Sequence, residues 1–107
     1  MSSDLSENAD STESPTLKLP LFRLGQIVAT PGVLKLLKQY SVSAWPYIER
    51  HVSGDWGNAP PEDARENELS VQKGFRVLSA YDIAGQRIWI ITESDRSATT
   101  LLLPSEY

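Results

Sequence analysis

The sequence contains no cysteine and only one histidine among its 107 residues. Without cysteine the chain can form no disulfide and offers no thiolate ligand or thiol nucleophile. A single imidazole cannot supply the several nitrogen or sulfur ligands that transition metals prefer. We therefore expect a fold stabilised by burial of apolar side chains, in a reducing compartment, with no metal and no cofactor.

Long apolar runs are absent as well. No stretch approaches the roughly twenty predominantly apolar residues that a membrane-crossing helix requires. The first residues also lack the basic and apolar regions of a secretory signal. These absences predict a cytoplasmic protein with no membrane partner.

The sequence has no excess of basic residues, and its net charge is −4. Residues 1–16 contain four acidic residues and no Lys or Arg, so the remainder of the chain is formally neutral. A neutral domain carries no strong DNA-binding signature, since proteins that bind the phosphate backbone are usually basic. The polar composition of residues 1–16 predicts a disordered acidic tail. Residues 17–107 have the length of one domain.

Capping residues and apolar spacing predict a first helix that starts at Thr30, with Pro31 at its first position. Its core-facing residues follow the helical period: Val33, Leu36, Leu37 and Tyr40. Before it, the segment 21–29 is apolar enough for a short strand, although Gly25 weakens that prediction.

Two more helices are predicted between residues 43 and 74. The second opens at Ser43, closes near Gly54, and turns three apolar residues inward: Trp45, Ile48 and Val52. The third runs from about Glu62 to Lys73, and Gly74 ends it as a left-handed residue.

From Phe75 onward the apolar pattern changes to that of strands: FRVLSAYDI, RIWIITE and TTLLLP. Three consecutive strands joined by short turns predict an antiparallel meander, with the Trp89 strand in its centre. The expected fold class is α+β, with N-terminal helices packed on a C-terminal antiparallel sheet of three or four strands. We expect Trp45 and Trp89 to be buried.

A first polar cluster, RHVSGDWG, lies at the end of the second helix. His51 is a candidate general acid or base and Asp55 a candidate for orienting it. Arg50 and Trp56 are candidate binding residues. The alternative is structural: His51 stabilises the helix C-terminus, Asp55 caps a turn and Trp56 fills the core.

A second polar cluster begins with Thr92 and Glu93, at the end of the middle strand of the meander, and continues through SDRSATT. Arg96, with Ser97 and Thr99 beside it, is suited to holding a phosphate or carboxylate. The alternative is an ordinary polar hairpin loop. Asn67 falls on the inward face of the third helix, where it either ties that helix to the Asp55 loop or binds a ligand. We predict that the two polar clusters meet in space.

The motifs RHVSGDWG, FRVLSAY and WIITESDRSATTLLLPSEY resemble a group of short uncharacterised bacterial proteins found on plasmids and integrating elements. The resemblance covers nearly all of residues 21–107 and implies a mobile-element setting, but no reaction. More loosely, helices with one histidine followed by a meander are similar to barnase, EndoU and RelE-like ribonucleases and toxins.

These observations leave two classes of function open. The first is an accessory or inhibitory module that binds a protein partner through the loops around His51, Trp56 and Arg96. The second is a metal-independent ribonuclease, with RNA as its partner. In it, His51 exchanges protons, Arg96 stabilises the phosphorane, and Ser97 or Thr99 positions the phosphate.

Overall fold

The computed structural model describes residues 19–107. The predicted acidic tail, residues 1–16, lies outside this range and stays a prediction. The described chain contains these elements in order: β1 (Gln26–Ala29), α1 (Pro31–Gln39), α2 (Trp45–Val52), α3 (Pro61–Lys73), β2 (Val77–Ile83), β3 (Gln86–Thr92), β4 (Ala98–Leu102) and a 3₁₀ turn (Pro104–Glu106). The α+β class is confirmed.

The four strands form one sheet in the order β1-β4-β3-β2. Strands β2, β3 and β4 are the predicted antiparallel meander. Two parts of the prediction were wrong: the helices lie mid-chain, because β1 precedes them, and β1 runs parallel to β4, with Gln26 beside Ala98 and Ala29 beside Leu101. The connection from β1 to β4 contains the three helices and strands β2 and β3, and a connection of this length permits parallel pairing.

The helix boundaries follow the capping residues in the sequence. The Thr30 hydroxyl accepts a hydrogen bond from the Val33 amide at 3.4 Å, and Pro31 is the first residue of α1, as predicted. Gly74 ends α3 in the left-handed region, at φ 77°. Helix α2 starts two residues later than predicted, and the Ser43 hydroxyl accepts from the Trp45 amide at 3.2 Å.

All three helices cover the same face of the sheet. The main core cluster joins α1 and α2 to the meander through buried residues: Val33, Leu36, Ile48, Tyr81, Ile83, Ile88, Ile90 and Leu101. A second cluster of Phe22, Trp56 and Val77 lies beside α3. This layer excludes water from the inner face, which therefore carries most of the apolar burial.

Two aromatic residues predicted to face the core are exposed instead. Trp45 is 59% exposed and Tyr40 is 44% exposed. Helix α2 turns Ile48 and His51 toward the sheet, so its first residue, Trp45, lies to the side of the buried face. Tyr40 follows the last residue of α1.

No described helix packs on the outer face of the sheet, where the C-terminal residues lie instead. Trp89 is half-buried there, so it is less covered than predicted, and its ring meets that of Tyr107 edge to face at 5.6 Å. The Arg76 guanidinium lies 5.7 Å from the Tyr107 ring centre. The carboxylate of Glu106 accepts from the Thr30 hydroxyl at 2.5 Å and from the Gly32 amide at 2.9 Å. These contacts tie the C-terminus to the start of α1.

Candidate functional site

The two polar clusters do meet, and the ring of Phe22 lies between them. Phe22 contacts His51 edge to face at 5.3 Å between ring centres and stacks on Trp56 at 6.5 Å. From the other cluster, the Arg96 guanidinium lies 5.3 Å from the centre of the same ring. The predicted proximity of RHVSGDWG and SDRSATT is therefore confirmed.

His51 lies on the inner face of α2 and is completely buried. Its Nδ1 atom is 2.6 Å from the Ser79 hydroxyl, in β2. Its Nε2 atom is 2.9 Å from the Thr92 hydroxyl, in β3. Both ring nitrogens are thus occupied by strand hydroxyls.

The hydrogen bonds continue from Thr92 to Thr99 and end at the Leu24 carbonyl, and this last acceptor determines which group donates in each bond. The Leu24 carbonyl can only accept, so the Thr99 hydroxyl donates to it at 2.7 Å. Thr99 must then accept from Thr92, at 2.7 Å, and Thr92 must accept from Nε2–H of His51. His51 is therefore the Nε2–H tautomer, and its Nδ1 accepts from Ser79.

The electrostatics of the site keep His51 neutral. Burial and, to a smaller extent, the positive charge of Arg96 together lower the pKa of His51 to about 3. A neutral, buried imidazole whose two nitrogens are both engaged has no open atom for a substrate proton. The geometry thus favours a structural role for His51, although not the predicted one at the helix C-terminus: it is a core group that ties α2 to two strands.

Arg96 is occupied by main-chain carbonyls. Its Nη1 donates to the carbonyl of Phe75 at 2.6 Å and to that of Glu93 at 3.1 Å, and its Nη2 donates to the Ser70 carbonyl at 3.0 Å. Ser70 belongs to the last turn of α3, where a cation stabilises the helix dipole. The predicted phosphate-binding fork therefore serves to fasten the β3–β4 turn to α3.

Asp55 and Arg50 form an ion pair at the surface. The Arg50 Nε donates to Asp55 Oδ2 at 2.7 Å, and this bond raises the pKa of Arg50. Asp55 Oδ1 also accepts from the Gly57 amide at 3.1 Å, and the main-chain oxygen of Asp55 accepts from the Tyr81 hydroxyl at 2.5 Å. Asp55 thus shapes the turn after α2, and it does not orient His51.

The remaining predicted residues of the loops divide between core and surface. Trp56 is 7% exposed and its Nε1 donates to Glu68 Oε2 at 2.8 Å, so it links the loop to α3. Thr99 is buried, and its hydroxyl bonds to Thr92 and to the Leu24 carbonyl. Ser97 is exposed, and its amide donates to Asp95 Oδ1 at 2.9 Å within the turn.

Asn67 faces inward as predicted, but its partner is the edge of β2 and not the Asp55 loop. Its Nδ2 donates to the Leu78 carbonyl at 2.6 Å, and its Oδ1 accepts from the Leu78 amide at 3.0 Å. Farther along β2 the contacts are between main-chain groups. The main-chain N–H of Asn58 donates to the Ala80 carbonyl at 2.6 Å, and the N–H of Ala80 donates to the Trp56 carbonyl at 3.2 Å. The outer edge of β2 is therefore covered.

Replacing Asn67 with Ala should lower the free energy of unfolding by about 2 kcal/mol, because both main-chain groups of Leu78 lose their partner. Amide exchange at Leu78 should accelerate at the same time. Glu66→Ala, at an exposed position of the same helix, is the control and should change stability by less than about 0.5 kcal/mol. Equal stability of the two variants, measured by urea denaturation, would contradict this role of Asn67.

Two residues of this arrangement, Phe22 and Ser79, were not predicted as site residues, and Thr92 was placed in the second polar cluster without a role of its own. Ser79 did carry a signal, since it occupies an inward position of β2 between Val77 and Tyr81. A lone hydroxyl on a buried strand face needs a polar partner. The identity of that partner depends on the helix packing, which the sequence does not specify locally.

Within residues 19–107, no group of His, Cys, Asp or Glu side chains could hold a metal ion. Over the same range, the helices are too short or too polar to cross a membrane. No protein-family model, curated protein or solved structure matches the chain.

Proposed function

We propose that this domain is a small accessory or inhibitory protein-interaction module that binds its partner as an additional strand beside β1. The observation that carries the proposal is the outer edge of β1. Among the described residues, β4 is the only strand paired with β1. An unpaired strand edge is a template for main-chain hydrogen bonds from another chain.

The register identifies the main-chain groups that are open. The Gln26 amide donates to Ser97 and the Thr30 amide donates to Leu101, both on the β4 side. Because bonding residues alternate along a parallel strand, the amides and carbonyls of Ile27 and Ala29 point away from β4. A partner strand would find two donors and two acceptors there.

The side chains of β1 also suit strand addition. The sequence Gln26–Ala29 contains no charge and no proline, the features that commonly protect a sheet edge. Ile27 is 38% exposed and Val28 is 41% exposed, so each face of the strand offers an apolar group to a partner. The opposite edge of the sheet is covered by Asn67 and the segment 56–58, so within residues 19–107 β1 is the edge left open to binding.

The contacts of the polar clusters argue against catalysis, and they move the proposed binding surface from the loops around His51, Trp56 and Arg96 to the β1 edge. His51 and Arg96 direct their polar atoms to groups of the domain itself, and Arg50 is held by Asp55. A ribonuclease needs an accessible proton donor or acceptor, and His51 offers no open nitrogen. The ribonuclease alternative and the mobile-element setting both stay predictions.

The proposal predicts that Ile27→Pro abolishes partner binding and leaves the fold intact. Proline removes the Ile27 amide, which points away from β4, so no bond of the sheet is lost. With extended peptides displayed on phage as the probe, capture by the variant should fall at least about tenfold, equivalent to about 1.4 kcal/mol. Circular dichroism and the thermal midpoint should confirm a folded variant.

Trp45→Ser, which removes an exposed aromatic side chain from the helical layer, is the matched control and should retain peptide capture. Equal capture by the parent and Ile27→Pro would overturn the proposal. A parallel incubation of the purified protein with total RNA tests the alternative. RNA cleavage that is lost in His51→Ala would favour the ribonuclease.

A further inference from the structure

We infer that the strand which occupies the β1 edge is β1 of a second copy of this chain, paired antiparallel about a two-fold axis at Val28. This inference rests on the proposed function and names its partner. It would join two four-stranded sheets into one continuous sheet of eight strands.

The positions of the open groups make β1 complementary to itself. Ile27 and Ala29, whose main-chain groups point outward, lie one residue on either side of Val28. A two-fold axis at Val28 therefore places Ile27 of the first copy opposite Ala29 of the second, and Ala29 of the first copy opposite Ile27 of the second. Each of these pairs exchanges two hydrogen bonds, which satisfies the open donors and acceptors of both copies.

The same register buries apolar surface on the outer face. Val28 lies beside Thr100, which lies beside Ile91, which lies beside Leu78, so these four residues form one row across the sheet. Pairing at Val28 brings the two rows end to end, with the two Val28 side chains in direct contact. The exposed fraction of Val28, 41% in the single chain, is covered by that contact.

Charge is compatible with a second copy. The paired strands carry no charged residue, so they bring no like charges together. Gln26 of one copy lies opposite Thr30 of the other, and the Thr30 hydroxyl donates to Glu106. Arg23 precedes Gln26 by three residues. A basic residue and an acidic residue therefore flank each end of the paired strands.

The size of the contact sets its strength. Four main-chain hydrogen bonds and one valine pair are fewer contacts than a stable dimer of standard size contains. We therefore expect a weak, concentration-dependent dimer, with a dissociation constant in the micromolar range or above. Sedimentation velocity on the full chain should show a monomer at low concentration and a growing dimer fraction at high concentration.

The chain has no cysteine, so a single introduced cysteine reports the geometry directly. In a non-hydrogen-bonded antiparallel pair the Cα atoms lie about 4.5 Å apart, within reach of a disulfide. Val28→Cys should form a covalent dimer under oxidised glutathione. Gln26→Cys, on the same face of the same strand, is the matched control, because its two copies lie about 13 Å apart in this register.

Cross-linking of Val28→Cys should exceed that of Gln26→Cys at least about tenfold, and adding Ile27→Pro should reduce it to the control level. Equal cross-linking at both positions, or a monomer at every concentration, would overturn the inference. Dimerisation that is seen only after residues 1–18 are removed, and not in the full chain, would also overturn it, by assigning the edge to that segment. If Ile27→Pro still abolishes peptide capture in a monomeric protein, the proposed function stands and only the inference fails.

Discussion

Lowering the pH from 7 to 5 is expected to reduce the free energy of unfolding by about 2 kcal/mol through His51 alone. An unfolded histidine titrates near pH 6.5, whereas burial lowers the pKa of His51 in the folded chain to about 3. Between these values the unfolded chain binds one more proton than the folded chain. Stability therefore decreases as the pH falls from about 6.5 toward about 3.

This result can be assigned to one residue because His51 is the only histidine. Carboxylates titrate mainly below pH 5, so a stability slope between pH 5.5 and 6.5 belongs to the imidazole. Urea denaturation of the parent and of His51→Gln over that range measures it, and the variant should lack the slope. Nitrogen NMR should show the Nε2–H tautomer unchanged from pH 8 to pH 5. A parent whose stability is flat over this range would contradict a neutral, buried His51.

Gly57→Ala should destabilise the domain by about 3 kcal/mol or more. Gly57 has φ 67°, and an added Cβ would lie 2.1 Å from the Ala80 carbonyl oxygen and 2.5 Å from Tyr81 Cδ1. The added Cβ would collide with the main chain of Ala80, which two hydrogen bonds fix in place: the main-chain N–H of Asn58 donates to the Ala80 carbonyl, and the Ala80 N–H donates to the Trp56 carbonyl. Neither neighbour can move without breaking the closed edge of β2.

Gly85→Ala separates the two causes of that loss. Gly85 also has a positive φ, 80°, but an added Cβ would meet no atom within 4 Å. The free energy of unfolding of this control should fall only by the cost of placing alanine in the left-handed conformation, about 1 to 2 kcal/mol. The difference between the variants, measured by urea denaturation, reports the close approach of Gly57 to β2. Equal losses would show that the approach contributes nothing.

The local signals in the sequence predicted the elements well. Thr30 and Pro31 define the start of α1, Gly74 ends α3, and the alternating segments after Phe75 became the meander. The pairing of β1 with β4 could not be predicted in this way. A four-residue strand does not specify its partner, which lies about seventy residues farther along the chain and is selected by how the helices pack.

The candidate site shows a different limit. Concentration of polar side chains in two loops correctly predicted that the loops meet, but not whether their polar atoms face the solvent or the core. Residue type favoured Trp45 over His51 as the buried side chain of α2, and the structure reverses this choice. A histidine can occupy a core when strand hydroxyls satisfy both of its nitrogens, as Ser79 and Thr92 do here.

The parallel pairing of β1 has a consequence for synthesis on the ribosome. The N-terminal strand has no described partner until β4, the last strand of the sheet, has been translated. The Glu106 carboxylate that accepts from Thr30 is made 76 residues after it. Until then the nascent chain exposes both edges of β1, with Ile27 and Val28 uncovered. The sheet can therefore close only after β4 has been synthesised, and β1 is the strand that waits longest for its partner.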